Sequence, residues 1–167
     1  MADVLIPRLL DDSMIDRAYA LVRNLAPKVT AARWQQFAGP QLRPLPISGP
    51  QGFMSIQNGA GCIFGLYRFE VRDTLGENRV LCADNFILAN LPGRDRIWAV
   101  MAETMDDLAR MNGCHSIRAE IFGDLDQSDG ERAWITSACA DSGYAFDGSR
   151  AFKLLPVAPA LGSAPES

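Results

Sequence analysis

The sequence predicts a mixed α+β domain in which an antiparallel meander leads into a strand–helix–strand crossover. Three observations carry that prediction. Two turn signals, Asn58-Gly59 and Asp73-Thr74-Leu75-Gly76, separate strand-like runs over residues 52–57, 62–72 and 79–91, and neighbouring hairpins give a meander. An amphipathic helix over about residues 97–112 follows: Ile97, Val100, Met101, Thr104, Met105, Leu108 and Met111 share one face, and Glu103, Asp106, Asp107 and Arg110 lie largely on the other. Gly113 stops that helix, and residues 116–122 read as a strand, which makes a parallel pair joined by a right-handed crossover.

The remaining elements fall into order around this centre. Residues 4–10 form a short apolar run that suits a first strand. Asp11, Asp12 and Ser13 offer N-caps, with Ser13 and Asp16 placed as a capping box. Ile15, Ala18, Tyr19, Val22, Leu25 and Ala26 then make the inner face of a first helix that Pro27 ends. Thr30 caps a second helix reaching Phe37. Residues 39–52 form a loop stiffened by Pro40, Pro44, Pro46 and Pro50, either a connector or a rigid wall of a substrate pocket. Cys62–Arg72 alternates, with Ile63, Tyr67, Phe69 and Val71 on one face and Phe64 and Leu66 on the other. Near the end, Ser128-Asp129-Gly130-Glu131 is a capping box for a helix over residues 133–141. Gly143 stops it, and residues 144–155 give a last strand interrupted near Asp147-Gly148. The tail from Pro156 has little to bury and is expected to be disordered.

Composition narrows the function. With 167 residues, 48% hydrophobic and 22% charged, one globular domain over residues 1–155 is expected. A net charge of −4 gives no long-range attraction to nucleic acid or to an anionic membrane. No apolar run approaches the ~18 residues of a membrane span. The start, Met-Ala-Asp, lacks the basic and apolar regions of a signal peptide, so a cytoplasmic protein is expected. Cys62, Cys82, Cys114 and Cys139 are spaced as free thiols of a reducing compartment, and a lone histidine, His115, gives no metal site.

A strand feeding a loop that opens a helix presents unpaired N–H groups and a positive dipole end to anions. Here that junction is residues 88–98. The element order is strand, helix, helix, three antiparallel strands, helix, strand, helix, strand. With Leu91 to Ile121 and the Gly143-Tyr144 step after the last helix, it resembles the GCN5-related N-acetyltransferase superfamily over about residues 3–155.

That resemblance implies a mixed sheet splayed between strands four and five and flanked by about four helices. It implies acetyl-CoA or another acyl-CoA in the splay, and no metal. Loop amides would hold the pyrophosphate. A bulge near Leu88, Ala89 or Asn90 would offer a free N–H to the thioester carbonyl. The acceptor would be a small-molecule or peptide amine, with no nucleic-acid or membrane partner, and the oligomeric state, a homodimer included, stays open.

The sequence also departs from the superfamily's loop pattern, Gln/Arg-x-x-Gly-x-Gly/Ala. Aligned on the helix, it reads Gly93-Arg94-Asp95-Arg96-Ile97-Trp98. Arg96 and Trp98 stand where small residues let phosphate approach the backbone. Four readings follow. Arg94 and Arg96 bind phosphate through guanidinium groups. Trp98 plugs the cleft. Gly93 takes one of the small roles and the helix begins earlier. Or residues 94–96 are only a solvated helix start.

The superfamily's acid, a Tyr four residues before the Gly-aromatic step, is replaced by Cys139, a proton donor or a packing residue. Asp84 is the first choice of base, read on one face with Val80, Cys82, Phe86 and Leu88; the plain alternative is a surface acid paired to Arg68. Glu70 and Glu120 follow it. Trp34 and Phe37 line an acceptor pocket or belong to the core. Two functions fit: an acyl-CoA-dependent N-acyltransferase, or a domain of this fold that has lost its nucleotide site and serves as a binding or regulatory module. An acyl-homoserine-lactone synthase, which shares the architecture, ranks last because its acidic and aromatic motifs are not matched.

Overall fold

A computed structural model describes residues 3–42, 50–76, 78–122 and 128–156. Its elements are β1 (Ile6–Leu9), a 3-10 turn (Asp12–Met14), α1 (Ile15–Leu25), α2 (Ala31–Ala38), a second 3-10 turn (Gly39–Leu42), β2 (Gln51–Gln57), β3 (Ile63–Thr74), β4 (Asn78–Leu88), α3 (Arg94–Met111), β5 (Ser116–Glu120), α4 (Asp129–Asp141), β6 (Ala145–Asp147) and β7 (Arg150–Leu154). The strands make one seven-stranded sheet in the order β1-β2-β3-β4-β5-β7-β6. Among the described residues only β4 and β5 run parallel; the other pairs are antiparallel. Meander and crossover are therefore both present. The expected last strand is instead a hairpin, because Gly148 at φ +62° turns the chain between β6 and β7.

Local chemistry sets the helix starts. Thr30 Oγ1 accepts from the Arg33 amide at 3.1 Å and opens α2, and Ser128 Oγ accepts from the Glu131 amide at 3.3 Å and opens α4. Ahead of α1 the cap is Asp11, which accepts from the Ser13 amide at 2.9 Å, so the Ser13–Asp16 capping box does not form. Of the proline-rich stretch, Gly39–Leu42 is a 3-10 turn and Gln51 and Gly52 already belong to β2. Pro44, Pro46 and the tail beyond Pro156 lie outside the described residues.

Two helical layers cover the sheet. α3 and α4 pack on one face, where Ile97, Trp98, Met101, Met105, Ile135 and Cys139 meet Met54, Ile56, Tyr67, Phe69, Leu81 and Phe86. On the other face α1 and α2 bring Ile15, Ala18, Leu21, Val22 and Trp34 onto Phe53, Leu66 and Ile87. Trp34 and Phe37 set their rings edge-on to Phe53 at 5.4 and 6.0 Å, and Trp34 Nε1 donates to the Ile15 carbonyl at 2.9 Å. Both belong to this core, where burial of each ring is worth about 2–3 kcal/mol. α3 crosses β3 so closely that a Cβ on Gly65 would stand 2.9 Å from Ile97 Cγ2 and 3.1 Å from Met101 Sδ.

Two irregularities break the expected alternation. Leu66 pairs with Ile87 but Arg68 pairs with Asp84, so Tyr67 alone opposes two residues, Asn85 and Phe86. This is a β-bulge, and Asn85 takes its left-handed conformation at φ +52°. The bulge reverses the parity of β4. Asp84 and Ile87 share the α1 face, whereas Phe86 and Leu88 belong to the α3 side, so the single row expected for Asp84, Phe86 and Leu88 does not exist. A second register shift beside Ile56 and Gln57 likewise puts Ile63 with Leu66 and Phe64 with Tyr67.

Candidate functional site

The parallel β4–β5 pairing spans four residue pairs, from Val80–Ser116 to Ala83–Ala119. Beyond Ala83 the strand β4 bulges and runs on to Leu88, while β5 ends at Glu120. The sheet is splayed there, between strands four and five. A cavity of about 330 Å³ fills the gap. Phe86, Leu88, Trp98 and Ile135 line it from the α3–α4 side, and Leu25 and Ile87 from the α1 side, so the opening reaches both faces of the sheet.

β4 keeps its inner edge bonded past the bulge. The Ala89 N–H donates to the Phe64 carbonyl at 2.8 Å. Strand residues send their N–H groups alternately to opposite edges, which directs the Leu88 N–H to the edge that β5 has left. The bulge itself lies at Asn85–Phe86, earlier than the expected Leu88–Asn90, and Ala89 is not a free donor. Asn90 lines the cavity and its Oδ1 accepts from Arg94 Nη1 at 3.1 Å.

The helix after this loop starts at Arg94, not Ile97, with Gly93 at φ +89° as its N-cap. Three loop amides are already satisfied: Leu91, Arg94 and Arg96 donate to the carbonyls of Ala89, Leu91 and Gly93 at 3.0, 3.1 and 3.0 Å. Arg94 reaches across the mouth of the cavity. It donates to Glu131 Oε1 at 2.8 Å and lies 4.1 Å over the Trp134 ring, while Asp95 Oδ1 accepts from Trp134 Nε1 at 2.8 Å. Arg96 is exposed and turns toward the Asp3 carbonyl at 3.5 Å, so the two arginines do not converge.

Trp98 sits one turn deeper than the helix start and is buried. Its ring lies 6.0 Å from that of Phe86, and its Nε1 donates to Ser142 Oγ at 3.1 Å and to the Ala138 carbonyl at 3.2 Å. It forms the floor of the cavity and does not fill it.

The acids lie on the α1 face of the sheet. Asp84 is paired with Arg68, whose Nε donates to Oδ1 at 2.7 Å and whose Nη2 donates to Oδ2. Asn85 Nδ2 adds a bond to Oδ1 at 2.7 Å. The apolar row expected around Asp84 is thus replaced by an ion pair. Glu70 is held by Arg72 at 2.7 Å. Glu120 lies at the exposed end of β5 and borders the same hollow as Asp84. Cys139 is buried in the α3–α4 core away from the cavity lining, and burial pushes its thiol up to about 12. His115 is exposed, and its backbone ties β5 to Arg79 and Leu155.

Among the cavity residues that escaped the sequence reading are three polar or aromatic ones, Ser128, Glu131 and Trp134. Ser128 and Glu131 are legible as a cap, but the bond from Glu131 to Arg94 spans 37 residues, and no local pattern announces it. Trp134, one turn further on, follows from the same geometry. Asn85 carried one signal, an Asp-Asn dipeptide inside a strand, where both residues are disfavoured.

No protein-family model and no curated protein matches the sequence. Solved structures do. One is a GCN5-related glucosamine N-acetyltransferase region of a fungal multi-domain beta-N-acetylglucosaminidase, with TM-score 0.68 and 12% identity over 89% of this chain. This chain spans 18% of that protein's length. A second is the aminoglycoside N-acetyltransferase AAC(6')-Iy in complex with CoA, with TM-score 0.64 and 10% identity, covering 100% of this chain and 98% of that one. A third is a GCN5-related N-acetyltransferase from Kribbella flavida, with TM-score 0.63 and 14% identity, covering 90% of this chain and 98% of that one. The chain has the fold of the GCN5-related N-acetyltransferases.

Proposed function

We propose that this chain is an acyl-CoA-dependent N-acyltransferase that moves an acyl group, acetyl first among them, directly to an amine. One observation carries the reading: the sheet opens beyond Ala83 into a cavity of about 330 Å³ that adjoins a bulged strand. Its lining suits a thin apolar-and-amide arm, with Phe86, Trp98, Met101 and Ile135 as walls and the polar Asn90 and Ser128 toward the mouth. The mouth carries Arg94, a bidentate phosphate partner by type.

Acyl-CoA supplies an activated thioester whose leaving thiolate, with a pKa near ~8.5, departs readily. The chain's own share is positioning and proton handling. The cavity walls hold the reacting carbonyl and exclude water. The Leu88 N–H, directed at the splay, donates to the developing oxyanion. The amine nitrogen attacks, a C–N bond forms, and the C–S bond breaks. Asp84 or Glu120 accepts the proton that the amine gives up. Cys139 takes no part, because a thiol pushed up to about 12 holds its proton against a thiolate near ~8.5; solvent protonates the thiol product.

Free-thiol release from acetyl-, propionyl- and octanoyl-CoA with a panel of small amines and peptide N-termini tests this. Amine-dependent release, lost in Leu88→Trp, supports it. No release with any acyl-CoA and any amine overturns it. A second reading is favoured by the Arg94–Glu131 pair, which already engages the guanidinium that phosphate would need. On that reading the chain binds no CoA and acts as a binding or regulatory module.

A further inference from the structure

A groove of about 390 Å³ lies between the second half of α1 and the end of β4, beside the start of β3. Leu21, Ile63, Phe64 and Leu91 give it apolar walls, and Asn24 and Asn90 are polar side chains on its border. Its size falls in the ~300–1,000 Å³ range of small-molecule sites, whose usual lining is apolar with a few placed polar groups. Leu91 is 46% exposed, so apolar surface there meets water and gains from being covered. Leu25, from α1, and Asn90, from the loop after β4, line this groove and the acyl cavity alike. The two spaces share a wall at these residues.

The lining decides what can occupy the groove. Among the described residues that border it, none is ionisable. Arg94 donates to Asn90 Oδ1 at 3.1 Å but is paired with Glu131, so it brings no net charge. An ammonium group held among these walls would lose its water with no carboxylate to replace it, which disfavours a polycation. An aliphatic or aromatic body instead buries against the leucines and the Phe64 ring, and the two amides can serve one polar substituent.

Position separates an acceptor from an acyl chain. On the acyl-transfer reading, the CoA arm runs inward from Arg94 past Asn90 to the Leu88 N–H. An acyl chain leaves that point toward Phe86 and Ile87, deeper in the sheet. The groove lies back along residues 89–91 on the α1 side, so an acyl chain would have to double back to enter it. An incoming amine does not.

We infer that the acceptor is a monoamine with an uncharged apolar body, aliphatic or aromatic: the body lies in the groove against Leu21, Ile63, Phe64 and Leu91, and the amine reaches past Leu25 and Asn90 into the acyl cavity. This rests on the acyl-transfer reading and deepens it to an acceptor class, an apolar monoamine as opposed to a polyamine.

Calorimetric titration of the full chain with 2-phenylethylamine, n-hexylamine and spermidine, alone and with saturating CoA, tests it, with acetyl-CoA and octanoyl-CoA titrated on the same samples. Binding of at least one monoamine more tightly than spermidine, weakened about tenfold in Ala20→Phe or in Asn24→Phe, is the expected result. Both positions line the groove and are exposed on α1, so the new rings fill it and the variants keep the parent's melting temperature. Equal or tighter binding of spermidine, no binding of either monoamine, or affinities unmoved in both variants overturns the proposal. So does octanoyl-CoA binding more tightly than acetyl-CoA with that difference lost in the variants, which assigns the groove to the acyl chain. If acetyl-CoA binds and the monoamines do not, the acceptor class is wrong and acyl transfer stands. If the monoamines bind and acetyl-CoA does not, the transfer reading falls and the acceptor role with it.

Discussion

The Arg94 guanidinium donates to the Glu131 carboxylate at 2.8 Å while lying 4.1 Å over the Trp134 ring, so one side chain clasps the start of α3 to the first turn of α4. The clasp stands at the mouth of the splay. Its side chains are partly exposed, so the pair contributes only about 0.2–1 kcal/mol and yields to a better anion. Glu131→Gln is expected to tighten acetyl-CoA binding about threefold at low salt, and Arg94→Ala to weaken it about tenfold. Titrations at two ionic strengths measure both. Affinities unchanged in both variants would remove Arg94 from the site.

Trp98 is a structural floor with two acceptors for its N–H. Trp98→Ala is expected to cost about 3–5 kcal/mol of stability, and Trp98→Phe about 1 kcal/mol, because the Ala138 carbonyl keeps the Ser142 N–H and O–H as donors. Denaturant unfolding checks the order. A Trp98→Ala protein as stable as the parent would contradict the packing described.

Asp84 lies on the α1 face of the sheet and is anchored by Arg68 and Asn85. Asp84→Asn is expected to lower kcat about 100-fold or more while leaving acetyl-CoA affinity within about twofold, and to cost about 1–2 kcal/mol of stability. Parallel losses in Glu120→Gln would identify the two acids as one unit. A normal kcat in Asp84→Asn with a loss in Glu120→Gln would assign the proton to Glu120.

Burial raises the pKa of three thiols, Cys82, Cys114 and Cys139, and of the phenols Tyr67 and Tyr144. A raised folded pKa means that the neutral form is favoured on folding. The associated stability is complete below the unfolded value, near 9 for the thiols, and is lost as pH climbs toward the folded value, about 12 for Cys139. The melting temperature is therefore expected to fall steadily above pH 9, and Cys139→Ala to flatten that fall at a cost of about 1 kcal/mol at neutral pH. A melting temperature constant up to pH 11 would contradict the burial of these groups.

The sequence was legible where local rules decide. Helix α3 announced itself by its apolar stripe, α2 and α4 by Thr30 and Ser128, and the meander by its turns. The start of α3 was misplaced by three residues because the apolar stripe begins at Ile97, whereas the helix begins where Gly93 turns the chain. The face of Phe86 relative to Asp84 was misread for a stronger reason: one extra residue in β4 reverses every side chain after it. Only the pairing with β3 reveals that residue. The Arg94–Glu131 clasp joins positions 37 residues apart, and only the packing of two helices on one face of the sheet brings them together.

Whether the splay beyond Ala83 receives acyl-CoA is decided by calorimetric titration of the parent and of Leu88→Trp with acetyl-CoA. Leu88 borders the cavity and is only half-buried, so the substitution fills the space without removing core. The expected result is binding by the parent at about 1–100 μM and none by Leu88→Trp. No binding by a folded parent protein at millimolar acetyl-CoA, or equal binding by both proteins, would contradict it.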